Sequence, residues 1–223
     1  MIFSENVRKW LSISIGIAFF IALLSIIITW IIIRRTRNRY FSKAQQEAWN
    51  QINKLREDVG QLDFSLIELF KTKANGFDIE GILNTIYQNN FENSLIISYK
   101  DHFPFYSINN KNKKNTLYLE TEFDSYSWDY IKEKVPNKFE KDIKKYDEKS
   151  PLNMLAIFSS KNNPIEIFNK LKDKFTNDSL VIIKHSILTK REVKELIAYA
   201  KDHKFLYEIS PFGTKYFFMV IKK

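Results

Sequence analysis

Residues 152–223 read LNMLAIFSSKNNPIEIFNKLKDKFTNDSLVIIKHSILTKREVKELIAYAKDHKFLYEISPFGTKYFFMVIKK, and this stretch decides the fold. Leu152 to Phe158 is a continuous apolar run, the mark of a strand buried on both faces. Asn163-Pro164-Ile165-Glu166 then opens a helix: a capping side chain, proline at the first helical position, and an acid in the first turn. Ile165, Phe168, Leu171 and Phe175 share its face. Leu180 to Ile183 is a second buried strand. Thr189-Lys190-Arg191-Glu192 has the spacing of a capping box, and Val193, Leu196, Ile197 and Ala200 follow on one face. The chain closes with strands at Phe205 to Ile209 and Lys215 to Ile221, turned by Pro211-Phe212-Gly213.

Working back toward the amino terminus, the rhythm continues. Thr116 to Glu120 and Ser94 to Tyr99 are further strands, with a short helix over Tyr126 to Lys134 that Pro136 stops. Ile79, Ile82, Leu83, Ile86 and Tyr87 form a helical face, with Asp78 placed to cap it. The polar run Asn109 to Asn115 reads as a solvated turn; as a phosphate site it lacks arginine and glycine. Phe139 to Ser150 is a dense mixture of charges and reads as an exposed connection. Strands alternating with helices specify an α/β domain with a mostly parallel sheet, and the final hairpin specifies one reversed strand.

The first 76 residues differ in character. Leu11 to Ile33 carries no charge; at helical rise it is about 34 Å long, enough to span a hydrocarbon core of roughly 30 Å. Trp10 and Trp30 sit near its ends, and no small-residue cleavage site follows it. Arg34, Arg35, Arg37, Arg39 and Lys43 outweigh Arg8 and Lys9, which places the carboxyl-terminal bulk in the cytoplasm of a single-pass cell-membrane protein. The lipid bilayer is thus an expected partner through residues 11–33. From 41 to 74, Ala44, Ala48, Ile52, Leu55, Val59, Leu62, Leu66, Leu69 and Phe70 form a helical stripe, broken near Gly60 and Asp63. It offers a face to a protein partner or to the domain behind it. The expected division is a short extracytoplasmic start (1–10), a transmembrane helix (11–33), a basic juxtamembrane and helical linker (34–76) and an α/β domain (77–223).

Composition narrows the chemistry. Cysteine is absent from the 223 residues and there are three histidines, which excludes thiol catalysis and cysteine-ligated metals and argues against a histidine metal centre. The net charge of +9 is concentrated near the membrane segment. Without residues 1–39 the chain holds 29 basic and 25 acidic residues, too even a balance to point to nucleic acid. Lysine, isoleucine, asparagine and phenylalanine, all with AT-rich codons, are abundant. No P-loop, GxSxG or HExxH spacing occurs.

The order from Leu152 onward, ending in FLYEISPFGTKYFFMVIKK, resembles the second half of a class I S-adenosylmethionine-dependent methyltransferase. In that family the last strand inserts antiparallel between its neighbours. The whole chain is similar to small membrane-anchored methyltransferase-like proteins of AT-rich bacteria. The resemblance covers about residues 77–223 and implies a Rossmann-like class I methyltransferase fold, S-adenosylmethionine as cofactor and a membrane-anchored methyltransferase of unspecified acceptor. It also implies where the cofactor sits. The loop after the first strand contributes Ser98 and Tyr99, the acid after the second strand is Glu120 or Glu122, and Ser159 begins the loop after strand LNMLAIF. The family's glycine-rich turn is missing: Ile97-Ser98-Tyr99-Lys100-Asp101-His102-Phe103-Pro104 has no glycine, and Tyr99 or His102 could fill the space of the cofactor's methionine part. The alternative is therefore a catalytically inactive domain of this fold, serving as a membrane-bound interaction or scaffold module. Asn163-Pro164 is accounted for by helix capping, and His185 by its place at a strand end.

Overall fold

The computed structural model describes residues 19–35, 46–47, 50, 56–58, 60–139 and 141–223. The chain divides into two compact units, Met1–Gln51 and Ile52–Lys223. In the first, residues 19–35 are helical and exposed along their length. Among the described residues no helix is long and apolar enough to cross a membrane. Residues 1–18, which include the start of the expected 11–33 segment, and most of 36–55 lie outside the described residues.

The second unit is built on seven strands: β1 (Asn93–Ser98), β2 (Asn115–Tyr118), β3 (Lys144–Lys145), β4 (Leu152–Ser159), β5 (Phe175–Lys184), β6 (Leu206–Pro211) and β7 (Lys215–Ile221). Their order across the sheet is β3-β2-β1-β4-β5-β7-β6. All neighbours pair in parallel except β7, which runs antiparallel to both β5 and β6. The expected insertion of a reversed last strand is thus present.

Five helices cover the two faces: α1 (Gly76–Gln88), α2 (Phe103–Lys111), α3 (Ser125–Lys134), α4 (Pro164–Leu171) and α5 (Lys190–Asp202). Side chains alternate across each central strand. Leu95, Ile97, Leu155, Ile157, Val181, Ile183, Phe217 and Met219 share one core with Phe168, Leu196 and Ala200 of α4 and α5. Ile96, Met154, Ala156, Phe158, Ile182 and Tyr216 share the other with residues of α1, α2 and α3. Each fully buried Ile or Leu of these strands stabilises the sheet by about 1.5–3 kcal/mol relative to exposure. The capping predictions hold: Asn163 Oδ1 accepts from Ile165 N–H at 2.8 Å, and Thr189 and Glu192 form the reciprocal capping box.

Several local expectations need correction. Phe103–Lys111 is a buried helix rather than the start of a solvated stretch, because Phe103, Phe105, Tyr106 and Ile108 all face core. The exposed connection 139–150 contains the edge strand β3. Asp78 does not cap α1; Asn75 does, accepting from Phe77 N–H at 2.9 Å. The 41–74 stripe is not one helix, since 60–63 is irregular and only Phe64–Leu66 and Ile67–Phe70 make short turns. Leu62, Leu66 and Phe70 are buried in the core of their own domain.

Candidate active site

In an open α/β sheet, ligands sit beyond the carboxyl ends of the strands where the strand order reverses, here between β1 and β4. Every predicted site residue lies at that end. Ser98 ends β1, Glu120 and Glu122 form a single-turn helix just after β2, and Ser159 ends β4. Ser98 and Ser159 are register partners across a small bulge.

The turn after β1 solves its missing glycine in an unusual way. Lys100 takes the left-handed conformation (φ 62°), at a cost of about 1 kcal/mol for a residue with a Cβ. Asp101 N–H donates to Ser98 O at 3.2 Å and closes the turn. The Asp101 carboxylate then accepts from Thr72 Oγ1 at 2.9 Å and Lys73 N–H at 3.1 Å, tying the loop to the segment before α1.

His102 turns away from the crevice. It is 2% exposed, between Phe123 (ring centroids 4.8 Å apart) and Trp128 (5.7 Å). Its Nε2 lies 2.9 Å from Asp124 O, so Nε2 carries the proton and Nδ1 is a bare acceptor with no partner. Burial holds this imidazole below its ordinary pKa, against the opposing pull of the Asp124 carbonyl and carboxylate. The concern that His102 fills the methionine space is therefore corrected: aromatic packing under α3 draws it the other way. Phe105, Tyr118 and Phe123 extend the same cluster beneath the end of β2, Tyr118 and Phe123 being 4.3 Å apart.

Tyr99 does meet Ser159. Tyr99 N–H donates to Ser159 O at 3.1 Å, and the Ser159 hydroxyl donates to Tyr99 O at 2.9 Å. The loops after β1 and β4 are clasped directly.

The two acids after β2 have separate roles. Glu122 is 2% exposed; its carboxylate accepts from Lys161 N–H at 2.6 Å, from Asn162 N–H at 3.1 Å and from the Asn162 side-chain amide. It fixes the loop after β4 and has little capacity left for a ligand. Glu120 is exposed and has one partner, Lys145 Nζ at 2.5 Å, whose pKa it raises. It lines a cavity of about 580 Å³ with Leu119, Thr121, Lys145, Tyr146, Asp147 and Glu148. Tyr146 donates to Ser150 O at 2.8 Å, and burial pushes its phenol up to about 12. His185 is half-buried in a short turn after β5. Among the described residues no group of three acids or histidines could hold a metal.

One element of this end went unread in the sequence. Asp78, fully buried, accepts from Gly213 N–H (2.8 Å), Thr214 N–H (2.7 Å), Thr214 Oγ1 (2.7 Å) and Tyr216 OH (3.0 Å). It binds the tip of the β6–β7 hairpin to α1. The available signal was position: Asp78 shares a helical face with Ile82 and Ile86, where a carboxylate must find buried donors.

No family model and no curated protein sequence matches the chain. Solved structures do. A methyltransferase from Geobacter sulfurreducens superposes with a TM-score of 0.54 at 7% identity, covering 78% of this chain and 95% of that one. A Podospora anserina methyltransferase with S-adenosylhomocysteine bound gives 0.50 at 11%, covering 100% and 98%. At such identities the likeness is one of fold: the domain has the Rossmann-like architecture of class I methyltransferases, a mostly parallel seven-stranded sheet with its last strand reversed.

Proposed function

We propose that the chain is an S-adenosylmethionine-dependent methyltransferase. The observation that carries this reading is Glu120: a free-standing carboxylate at the carboxyl end of β2, beside a cavity of about 580 Å³, in a sheet of order β3-β2-β1-β4-β5-β7-β6. A carboxylate there accepts hydrogen bonds from two ribose hydroxyls. The nucleoside half of the cofactor therefore fits the residues present. The methionine half fits only when the Tyr99–Ser159 bonds part, since those loops now touch. The cofactor would supply an electrophilic methyl group; the protein's part is to hold the acceptor in line with it and exclude water.

Equilibrium dialysis of the full-length chain against radiolabelled S-adenosylmethionine tests this reading. Saturable binding, weakened on the order of tenfold or more by Glu120→Gln, is expected, because that exposed side chain supports nothing else in the fold. No binding at millimolar ligand would leave the second reading, a module of this fold without donor chemistry, which the glycine-free turn and the Tyr99–Ser159 clasp favour.

The membrane anchor belongs to the same proposal. Its support is the uncharged run 11–33 and the helix at 19–35, whose hydroxyls bond internally: Ser25 Oγ to Ile21 O at 2.9 Å and Thr29 Oγ1 to Ser25 O at 2.7 Å. The flanking arginines orient the domain to the cytoplasm. Resistance to carbonate extraction is the expected outcome; release into the supernatant rules the anchor out.

A further inference from the structure

The amino end of the sheet, opposite Glu120, carries cations that the site above does not use. Lys111 ends α2, and Lys113 and Lys114 stand in the turn that leads into β2. Two more lysines arrive from the approach to β3. Lys141 Nζ donates to Asn112 O (2.5 Å) and Lys114 O (3.2 Å), and Lys144 Nζ donates to Asn115 Oδ1 (2.7 Å). Lys114 is paired with Glu92 and Lys111 with Asp58. Lys113, Lys141 and Lys144 have no ion pair among the described residues, although Asp142 lies between the last two in sequence. Burial, with the charge of Lys144, holds Lys141 below the usual lysine range. Lysine commonly guards an exposed sheet edge, which accounts for Lys144. It does not account for Lys113 and Lys141, which lie off the strand.

A second observation concerns where the domain begins. Arg56 and Asp58 are fastened at this same end: Arg56 to the buried Glu80 at 3.1 Å, Asp58 to Lys111 at 3.0 Å. One cavity of about 950 Å³ is lined by Arg56, Glu57 and Asp58 together with Lys111, Asn112, Lys113 and Lys114. The chain thus joins the domain beside the lysines, and Glu120 faces the other way.

We propose that this lysine end docks on an anionic phospholipid surface. Lysines are compact point charges suited to phosphate headgroups. Direct base stacking needs aromatic platforms or free arginines, and here the arginine is buried and paired. Docking would hold the carboxyl ends of the strands away from the bilayer, open to an acceptor. The proposal gains from the membrane anchor but does not require it.

The test uses the full-length chain with vesicles of phosphatidylcholine alone or with phosphatidylglycerol added, read by co-sedimentation and by amide exchange. Amides of residues 112–116 and 141–145 should exchange more slowly on the anionic vesicles, and molar salt should abolish the difference. Lys113→Gln with Lys144→Gln should weaken docking roughly 30-fold, about fivefold for each lysine. Equal exchange on both vesicles overturns the proposal, as does protection by a homopolymeric RNA but not by phosphatidylglycerol. The anchor is read separately: sedimentation with neutral vesicles supports it. Sedimentation with anionic vesicles alone supports docking and refutes the anchor; sedimentation with neither overturns both.

Discussion

Asp78→Ala should be among the most destabilising single changes in the domain. The wild-type carboxylate collects four donors, two from the backbone of the hairpin tip and two from side chains. Hydrogen bonds to a charged group each contribute about 1.5–3 kcal/mol, so simple addition overshoots. Gly213 and Thr214 are only half-buried, and water can replace part of what they lose. Tyr216 is fully buried, and its hydroxyl would be left without a partner. Burial and the Asp78 charge both push the Tyr216 phenol up, which keeps it a donor at any working pH. The net loss is about 3–5 kcal/mol, the range seen when one member of a buried charged network is removed. For a domain of this size, each kcal/mol lowers the melting temperature by about 2–4 °C, so a drop of roughly 6–20 °C is expected. Thermal denaturation of the full-length chain measures it, with Tyr216→Phe and the double variant completing a cycle. The Tyr216→Phe cost should shrink once Asp78 is gone. A drop under about 3 °C, or additive losses, would refute the argument that this carboxylate clamps the hairpin.

Gly81→Ala should destabilise by about 1–3 kcal/mol despite alanine's helix preference, because its Cβ would stand 2.5 Å from the Phe212 ring; an unchanged melting temperature argues against that contact. Glu122→Gln keeps the shape but loses the charge-assisted bonds to Lys161 and Asn162, so residues 160–163 should show faster amide exchange while α4 does not. His102 contributes a pH dependence of defined sign. Its folded pKa lies below the ordinary value of 6.5, so below that pH the unfolded chain takes up a proton that the folded chain refuses. Stability should therefore fall on acidification, by up to about 1.4 kcal/mol per pH unit between the two pKa values. Glu80, raised by burial, opposes this trend, so the measurement is the difference in urea unfolding between wild type and His102→Gln, which should lack the His102 contribution.

The architecture was legible because β4, β5 and the closing hairpin carry strong local signals: continuous apolar runs, two capped helices and a Pro-Phe-Gly turn. The reversal of β7 follows from the short hairpin that precedes it. Other parts were hidden for physical reasons. Phe103–Lys111 has Pro104 in its first turn, and the following Asn and Lys residues mask its four buried apolar side chains. β3 is two residues long and both are lysine, so it has no periodicity to read. The division of labour between Glu120 and Glu122 was also out of reach. Two residues apart in a tight turn, one carboxylate points into the β4 loop and the other into solvent, and only tertiary structure separates them. Asp78 was read as a cap because Asp favours helix starts; its donors lie more than 130 residues away.

The most direct measurement is a crystal structure of the full-length protein with S-adenosylhomocysteine. The expected result is ligand density across the carboxyl ends of β1, β2 and β4, with ribose hydroxyls on Glu120 and the Tyr99–Ser159 hydrogen bonds opened. Saturating ligand with no density there, and the Tyr99–Ser159 clasp intact, contradicts the assignment of this fold to methyl transfer.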